Sequence, residues 1–413
     1  MPTLPNSIQE LKTRLKKRKF FFGVKKLRGS IRQCLADLEQ LWLENRVVTL
    51  RPAGEERGRA LFSYRIEGFV LAPDDPLILK HTNYWQSVQM ARTLTEMGYV
   101  VDVIDYRNSD FQPEKEYSLF VDVRKNMERL APRLGNGCLK IFHIDTAQIL
   151  AHNAAEANRL LALLQRRGTA FSPRLHQPPN RGIEVADYAT GNVGDFSLST
   201  FRYAGKPIYA LPAPVAHVYD FPVEKNWSSC RRRFIWLGSN GLVHKGLDLV
   251  LDAFANMPDC HLTVCTSLDQ DPEFKRAYHR ELYEMPNIDT AGWMEMGSER
   301  FREIASSCAA VVYPSCSEGL STSTIECMHA GMIPIVSHET GVPVGDFGCE
   351  IHPCTVEQIQ QIVRNVAEMN PEELRGRSER AWEFARANHT REKFAARYRK
   401  VIEEILTLHK TGG

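Results

Sequence analysis

Two glutamates, Glu318 and Glu326, are separated by seven residues in a stretch where an apolar run gives way to small polar residues. The apolar run 308–313 predicts a strand, and residues 325–330 predict a helix that follows it. A carboxylate in such a loop can accept hydrogen bonds from the hydroxyl groups of a sugar or ribose. The alternative is that one glutamate is a solvated loop acid and the other complements the helix dipole.

The loop between this strand and helix also predicts a seat for a phosphate. The first backbone N–H groups of a helix lack intrahelical acceptors, and the helix dipole favours negative charge beside them. These groups are expected around residues 320–324. The loop residues that we assign to the seat are Gly319, Leu320, Ser321 and Thr322.

A second loop adds a cation. The apolar run 234–237 predicts a strand, which is followed by Gly238, Ser239 and, six residues after Ser239, Lys245. An ammonium group held by a glycine-containing loop can reach a phosphate as a point charge. Taken alone, Lys245 is more simply a lysine exposed at the start of a helix.

Residues 314–337 and 234–254 together resemble the donor domain of family 4 glycosyltransferases, also called group 1. The first segment carries the Glu-x7-Glu signature of that family, and the second resembles its first strand, loop and helix. Such enzymes are retaining, use sugar nucleotides and have the GT-B fold, in which two Rossmann-like domains face each other across a cleft. The resemblance is specific from residue 234 onwards and covers residues 1–230 only in outline.

This resemblance implies a role for each residue of the donor site. Glu326 is expected to bind the ribose hydroxyls, and Glu318 the hydroxyls of the transferred sugar. Gly292 and Trp293 resemble the segment whose backbone meets the base. Lys245 is expected to bind the diphosphate of a UDP- or GDP-type donor.

The chain departs from the family at Ser239, where relatives have an arginine that shares the diphosphate. A hydroxyl compensates less negative charge than a guanidinium group does. The backbone N–H groups that begin at Gly238 are expected to make up part of the loss. His244 and Arg280 are further candidates between which the sequence does not decide.

The expected reaction breaks a bond between a sugar and a diphosphate. Fixed donors and cations stabilise the negative charge that grows on the leaving group. By resemblance, the leaving phosphate takes the acceptor's proton on the face from which it departs, which retains the anomeric configuration. Neither glutamate is then a general acid of the glycosidase kind. No Asp-x-Asp motif occurs at a fitting strand end, so we expect no metal and no cofactor.

The first domain is expected to contribute His143 to the site. Residues 139–145 predict a strand whose end carries His143 and Asp145. In the family, a residue at such a strand end faces the cleft near the donor sugar. We therefore assign His143, with Glu318 and Lys245, to catalysis; the alternative is a packed or solvated histidine.

Residues 77–81 predict the first strand of a doubly wound domain, followed by a helix over 84–97 and a strand over 99–105. Ligands of such sheets bind beyond the carboxyl ends of the strands. The expected residues on the acceptor side are therefore His81, Asn83, Tyr84 and Trp85. The Gly-rich loop of many relatives is missing there, so the acceptor, a carbohydrate or a lipid-linked glycan, stays open.

The chain length suits two α/β domains with additional segments. The predicted order is a basic helical extension at 1–45, an acceptor-side Rossmann-like domain at 46–212, a linker at 213–230, a nucleotide-sugar domain at 231–388, and a helix at 389–413 that crosses back to the first domain.

Positive charge is concentrated at the N-terminus. Residues 1–30 carry a net charge of +8, whereas the whole chain carries +2. The near-neutral total argues against a nucleic-acid-binding protein. The basic segment predicts peripheral contact with an anionic membrane, with a merely solvated segment as the alternative.

The ten cysteines include no Cys-x2-Cys pair, and several lie in apolar runs. This pattern argues against a zinc site or a disulfide framework and favours a reducing, cytoplasmic compartment. No apolar run has the length of a membrane span, and none fits a signal peptide.

Other function classes stay open. A nucleotide-sugar epimerase can share the architecture but lacks the Glu-x7-Glu arrangement, and a phosphorylase needs lysine-bound pyridoxal phosphate and a far longer chain. The missing arginine also fits a catalytically degenerate scaffold or partner protein. Binding of UDP or GDP would separate that scaffold from the enzymes.

Overall fold

The computed structural model describes residues 40–72, 75–174 and 178–412. The predicted basic extension lies outside these ranges up to residue 39, and residues 40–44 are helical. The membrane contact predicted for residues 1–30 therefore concerns residues outside the described ranges.

Two separate β-sheets form the centres of the described structure. Their strands are β1 (Val47–Leu50), β2 (Gly58–Tyr64), β3 (Tyr99–Asp105), β4 (Leu119–Asp122), β5 (Leu139–Ile144), β6 (Tyr188–Gly191), β7 (Ile208–Ala210), β8 (Arg233–Leu237), β9 (His261–Cys265), β10 (Ile288–Thr290), β11 (Ala310–Tyr313), β12 (Ile333–Ser337) and β13 (Cys349–Ile351).

Helices connect these strands and flank the sheets. They are α1 (Glu67–Val70), α2 (Pro76–Lys80), α3 (Thr82–Glu96), α4 (Asn126–Leu130), α5 (Ile149–Arg167), α6 (Gly182–Val185), α7 (Asp195–Phe201), α8 (Trp227–Cys230), α9 (Leu247–Phe254), α10 (Pro272–Ala277), α11 (His279–Tyr283), α12 (Glu299–Ser307), α13 (Thr322–His329), α14 (Val356–Glu368), α15 (Pro371–Asn388) and α16 (Arg391–Gly412).

The first sheet has the strand order β1-β3-β2-β4-β5-β6-β7. All neighbours are parallel except the edge strand β1, which is antiparallel to β3. The chain leaves β2 towards β3 on one side and later builds β4 on the other side. The reversal between β2 and β4 is where doubly wound sheets place their ligands, beyond the carboxyl ends of the strands.

The second sheet has the order β10-β9-β8-β11-β12-β13 and is parallel throughout. Its strands are nearly continuous apolar runs because helices cover both faces. The four residues of β11 are all buried, for example. Here the chain order reverses between β8 and β11, so the loops after these two strands lie side by side.

The last helix, α16, packs on the first sheet although it follows the second sheet in the chain. Phe394, Tyr398, Val401 and Ile405 are fully buried in the hydrophobic core that contains β2, β3 and α3. Phe394 also meets the Trp85 ring edge-on, with the ring centroids 6.0 Å apart. The helix therefore belongs to the core of the first domain.

The strand predicted at residues 77–81 is wrong, because this segment forms helix α2. Pro76 occupies the first turn, and the Asp75 side chain accepts a hydrogen bond from the Leu77 backbone N–H, which are two standard signals for a helix start. Three apolar residues in a row also fit a buried strand, which is why the sequence pattern misleads here. The first parallel strand is β2, which lies earlier in the chain.

Within the described ranges, no helix is both long enough and apolar enough to cross a lipid bilayer.

Candidate functional site

The loops after β8 and β11 meet at the reversal point of the second sheet. The first loop runs from Gly238 to Gly246, and the second from Pro314 to Ser321. Gly246 has a φ of +75°, and a Cβ atom there would collide with Pro314. Glycine at this position therefore allows the two loops to lie in direct contact, which brings their charged residues together.

Lys245 and Glu318 form an ion pair in this position. The Lys245 Nζ lies 2.8 Å from the Glu318 Oε1 and donates a second hydrogen bond of 2.8 Å to the Tyr313 hydroxyl. The Ser315 hydroxyl donates to the same glutamate oxygen at 3.1 Å. The Lys245 side chain is only 10% exposed and that of Glu318 19%, so the pair is largely shielded from water.

The pair fixes the ionisation of both groups. Burial alone would raise the pKa of Glu318, but the Lys245 ammonium beside it lowers that pKa to about 2. For Lys245, burial acts to lower the pKa, and the Glu318 carboxylate outweighs burial and raises it above the ordinary value. Both side chains are therefore charged at neutral pH, and the Lys245 ammonium is the group that can attract a phosphate.

The start of α13 provides fewer free backbone donors than expected. The Ser321 N–H donates to the Thr340 carbonyl at 2.9 Å, and the Ser321 side chain caps the Thr324 N–H. Thr322 and Ser323 are the first two helical residues, whose N–H groups have no acceptor within the helix. Of the predicted seat over residues 320–324, the N–H groups of Leu320, Thr322 and Ser323 have no acceptor among the described residues.

Gly319 contacts the first domain through its carbonyl group. Its carbonyl accepts hydrogen bonds of 3.0 Å from the Gly194 N–H and from the Ser197 hydroxyl of the first domain. A Cβ atom at Gly319 would lie 2.7 Å from the Asn192 carbonyl oxygen and 2.8 Å from that of Asp145. Glycine is required here because the two domains approach each other backbone to backbone, and Leu320 follows it as a half-buried residue.

Glu326 is buried inside α13 rather than open to the cleft. Its Oε1 accepts a hydrogen bond of 2.8 Å from the Ala216 backbone N–H, and the His217 N–H also stabilises the carboxylate. Both partners belong to the predicted linker. Burial raises the pKa of Glu326 to about 7 despite these hydrogen bonds.

The other predicted donor residues lie around the same sheet edge. Gly238 is buried, and its N–H donates to the Cys265 carbonyl, so it is not available to a phosphate. Ser239 is exposed. Gly292 has a φ of +77°, and the Trp293 side chain next to it is 63% exposed. An exposed tryptophan beside a left-handed glycine turn is free to cover a base.

Arg174 is a charged residue at this site that sequence reasoning missed. It follows α5 and lies over the loop after β8, so closely that a side chain at Gly241 would collide with it. Its charge contributes to lowering the pKa of Glu318. Arg174 forms no ion pair with any described residue. Nothing in its own sequence neighbourhood signals this position, because it depends on how the two domains meet.

The two cations proposed to replace the family arginine are not placed for that role. Arg280 is exposed on α11. His244 is buried, and its Nε2 lies 2.6 Å from the Ser317 carbonyl oxygen. Burial lowers the pKa of His244 to about 3, so its ring is neutral at physiological pH.

His143 does not face the cleft, contrary to expectation. It is fully buried, with its Nδ1 2.9 Å from the Thr190 hydroxyl and its Nε2 2.8 Å from the Gln86 amide nitrogen. The Gln86 amide also donates to the Asn192 side chain at 2.7 Å. Burial lowers the pKa of His143 to about 4. The histidine supports the loop that contacts Gly319.

The predicted acceptor residues divide into two groups. The His81 and Tyr84 rings stack with centroids 4.1 Å apart, and Arg65, directly after β2, donates to the Tyr84 hydroxyl at 3.4 Å. Asn83 is exposed beside them. Trp85 instead packs against α16. All four residues lie at the start of α3, so the expectation that they follow a strand is wrong. His81 and Tyr84 nevertheless lie near the end of β2, because Arg65 at that end donates a hydrogen bond to Tyr84.

Among the described residues, His152, Glu156 and His244 form a cluster with the geometry to hold a metal ion. The first two lie on α5 and the third in the loop after β8. The cluster was not predicted, since its members come from distant parts of the chain. All nine cysteines in the described ranges are free thiols.

Residues 231–368 match the family model described as "Glycosyl transferases group 1". The chain is also similar in fold to Anabaena HepE in complex with UDP and glucose, with a TM-score of 0.52, 12% identity, and coverage of 85% of this chain and 100% of the other. The N-terminal domain of Candida albicans trehalose-6-phosphate phosphatase gives a TM-score of 0.53 at 10% identity, covering 87% and 99%.

A glycosyltransferase from Rickettsia africae gives a TM-score of 0.50 at 12% identity, covering 85% of this chain and 99% of the other. No curated protein sequence matches the chain. At these identities the structural likeness concerns the fold. The predicted fold class, an α/β protein of the GT-B type with two mainly parallel sheets, is confirmed.

Proposed function

We propose that the protein is a retaining glycosyltransferase of family 4. It moves a hexose-like unit from a UDP- or GDP-linked sugar to a carbohydrate or lipid-linked acceptor. The observation that carries the proposal is the shielded Lys245–Glu318 pair beside the start of α13, at the reversal point of a sheet whose domain matches the group 1 family model.

Lys245 and Glu318 neutralise each other in the structure. A bound diphosphate offers Lys245 a stronger anion, because phosphate oxygens carry more negative charge than one carboxylate. Glu318 is then released to accept hydrogen bonds from the hydroxyls of the transferred sugar. The pair is therefore a preformed site that changes partners when the donor binds.

Arg174 takes over the charge that relatives supply with an arginine at the position of Ser239. Its guanidinium group comes from the first domain and lies over the loop that holds Lys245. With Lys245 and the N–H groups of Thr322 and Ser323, it stabilises the negative charge that grows on the leaving diphosphate. The reaction so described uses no metal and no cofactor.

The proton of the acceptor hydroxyl passes to the departing phosphate oxygen. Both events occur on the face of the sugar from which the phosphate leaves, so the new bond has the configuration of the old one. The described residues near Glu318 support this route, because Glu318 is ionised and paired and so cannot act as a general acid.

Glu326 binds the ribose by accepting hydrogen bonds from its hydroxyls in addition to those from the linker. His143 acts as a positioning residue, since it orients Gln86 and through it Asn192, next to the Gly319 contact. On the first domain, Arg65, His81 and Tyr84 face the acceptor at the reversal point of the first sheet. The basic residues 1–30 bring the protein to an anionic membrane, where a lipid-linked acceptor would be found.

A second candidate is a scaffold that binds nothing at this site. Two observations favour it: Ser239 replaces the expected arginine, and Glu326 is already occupied by the linker backbone. The two functions differ in whether the chain turns over a nucleotide sugar.

The test is a product screen with UDP- and GDP-linked sugars and a glycan extract, read by mass spectrometry, with the anomeric configuration of any product determined by NMR. We expect transfer with retention from one donor. Glu318→Gln should lower turnover on the order of a hundredfold without weakening the binding of free UDP or GDP.

A product of inverted configuration would exclude the retaining mechanism. Wild-type turnover by the Glu318→Gln variant would remove Glu318 from the sugar site. If the chain turns over none of the donors, the scaffold is the function that remains.

A further inference from the structure

A cluster of two histidines and a glutamate lies where the two domains meet. His152 and Glu156 are one helical turn apart on α5 of the first domain, so both point to the same side. His244 comes from the loop after β8 of the second domain. All three are buried, and each offers a ligand atom within 4.8 Å of the others. The two imidazole centroids are 4.7 Å apart.

The hydrogen bonds of His244 fix its tautomer. Its Nε2 lies 2.6 Å from the Ser317 carbonyl oxygen. A carbonyl oxygen can only accept, so Nε2 carries the hydrogen and Nδ1 is an acceptor, which the Cys316 thiol meets at 3.4 Å. This Nδ1 lies 3.9 Å from the Glu156 Oε1. A histidine that donates one N–H to a backbone carbonyl and turns the other nitrogen inward has the usual arrangement of a metal ligand.

The Glu156 carboxylate is incompletely satisfied. Its Oε1 accepts a hydrogen bond of 2.7 Å from the Arg174 backbone N–H. Its Oε2 is buried and has no hydrogen-bond partner in the part of the chain that the structure describes. Leaving a charged oxygen without a partner in a buried place is costly. A cation between the glutamate and the His244 Nδ1 would give the Glu156 Oε2 a partner and would replace the weak hydrogen bond from the Cys316 thiol to Nδ1.

We propose that His152, Glu156 and His244 bind a divalent cation of the zinc class, which the two domains hold jointly. Two imidazoles and one carboxylate are a ligand set that zinc takes, whereas calcium and magnesium prefer oxygen ligands. Tetrahedral zinc ligands lie about 2.1 Å from the metal and hence about 3.4 Å from one another. The distance of 3.9 Å between the His244 Nδ1 and the Glu156 Oε1 must therefore shorten by roughly 0.5 Å, which side-chain rotation can provide.

The proposed metal site is accessible to an ion and has a fourth potential ligand. Glu156 and His244 both line a cavity of about 290 Å³, through which an ion can enter. The Cys316 sulfur lies 3.4 Å from the His244 Nδ1 and can complete the coordination in place of a water. The Glu318 carboxylate neutralises the neighbouring Lys245. Arg174 is the other nearby cation and acts on both histidines, so the Glu156 carboxylate must offset its charge when an ion binds.

Such an ion would strengthen an interface that α5 already makes with the second domain. Arg159 donates two hydrogen bonds of 3.0 Å to the Pro314 carbonyl, and Arg166 pairs with Asp248 at 2.7 Å. Two of the proposed ligands, His152 and Glu156, lie on the same helix, one to two turns before Arg159. The ion would act on how the domains are held together, and the proposal does not depend on the proposed function.

The test is a zinc titration of the full chain after removal of metals with a chelator, against a chromophoric competitor. Cobalt, added in place of zinc, reports the geometry by its visible absorption. We expect a single ion per chain and the strong absorption of tetrahedral cobalt. His152→Ala and Glu156→Gln should each weaken zinc binding by at least about tenfold, since even changes behind a metal ligand have effects of this size.

His279→Ala is the matched control, because His279 is an exposed histidine on α11 and should leave zinc binding unchanged. Circular dichroism checks that each variant is folded, and Glu156→Gln, which keeps the side-chain size, carries the test if His152→Ala does not fold. If the cluster is held by a shared proton instead, the wild-type chain takes up no zinc, which overturns the proposal. Uptake that neither variant weakens overturns it as well.

Discussion

At the scale of single residues, the site is organised around a charge pair that is stable only as a pair. Removing either Lys245 or Glu318 would leave the other charge in a shielded place without a partner, which is strongly unfavourable. The pair can exist in the empty protein because each group neutralises the other at 2.8 Å. A donor that brings both phosphates and hydroxyls can replace both partners at once, whereas a simple anion can replace only one.

Glu326 predicts a pH dependence of donor binding. Its pKa of about 7 means that the empty protein holds this proton below neutral pH. Ribose hydroxyls stabilise the carboxylate, so binding should release the proton, and affinity should rise with pH. For a bound pKa near the ordinary value, affinity should increase about tenfold between pH 6 and pH 8. The ligand should be a nucleotide sugar, since its diphosphate does not titrate in this range.

Calorimetry at pH 6 in two buffers with different ionisation enthalpies measures that proton directly. Glu326→Gln is the control, because it removes the titrating group and keeps its size. A wild-type protein that releases no proton, or a variant that releases the same amount, would show that Glu326 does not bind the ribose.

The sequence predicts which residues lie in the site better than it predicts the residues that they contact. Glu318 and Lys245 were predicted in one site, because both follow strands that the apolar pattern reveals. The contacts of Gly319 with the first domain and of Glu326 with the linker could not be predicted, since they depend on packing between distant segments. The position of Arg174 could not be predicted for the same reason, and no sequence motif surrounds it.

At the scale of elements, α5 is the connection between the two halves of the site. It starts at a capping Gln148 and ends at Gly168 in the left-handed conformation, as the glycine after an apolar-periodic run predicts. Its cluster residues and Arg159, Arg166 and Arg167 all face the second domain. Helical periodicity gives the length of such a helix, but the sequence does not tell which domain each face contacts.

Elements with a clear start and stop can be predicted from the sequence more readily than short ones. Helices α14 to α16 each begin after a polar cap and repeat apolar residues at helical spacing, which are signals that the sequence shows. Residues 77–81 failed because the run is too short for periodicity to decide between a strand and a helix. Pro76 with Asp75 was the signal that should have decided it.

The position of α16 predicts which residues of the last helix stabilise the first domain. Phe394 is fully buried against Trp85, so Phe394→Ala should lower the free energy of unfolding by about 3–5 kcal/mol. Leu408, on the same helix, is 45% exposed, and Leu408→Ala should change it by less than about 0.5 kcal/mol. Urea unfolding followed by tryptophan fluorescence and circular dichroism measures both. Equal effects of the two variants would contradict the packing of α16 on the first sheet.

At the scale of the whole molecule, the site exists only where the two domains meet. Lys245 and Glu318 belong to the second domain, and Arg174 reaches them from the first. The Gly194 N–H bonded to the Gly319 carbonyl keeps the two domains in direct backbone contact beside the pair. A diphosphate bound there should therefore depend on cations from both domains.

The most direct measurement is a calorimetric titration of the full chain with UDP and GDP, and with uridine and guanosine. The account predicts that one diphosphate binds much more tightly than its nucleoside. Lys245→Met and Arg174→Ala should each weaken the diphosphate by about 1.5–3 kcal/mol, the size of a charge-assisted hydrogen bond, and leave the nucleoside unchanged. A chain that binds neither diphosphate, or that binds diphosphate and nucleoside equally well, would contradict the account.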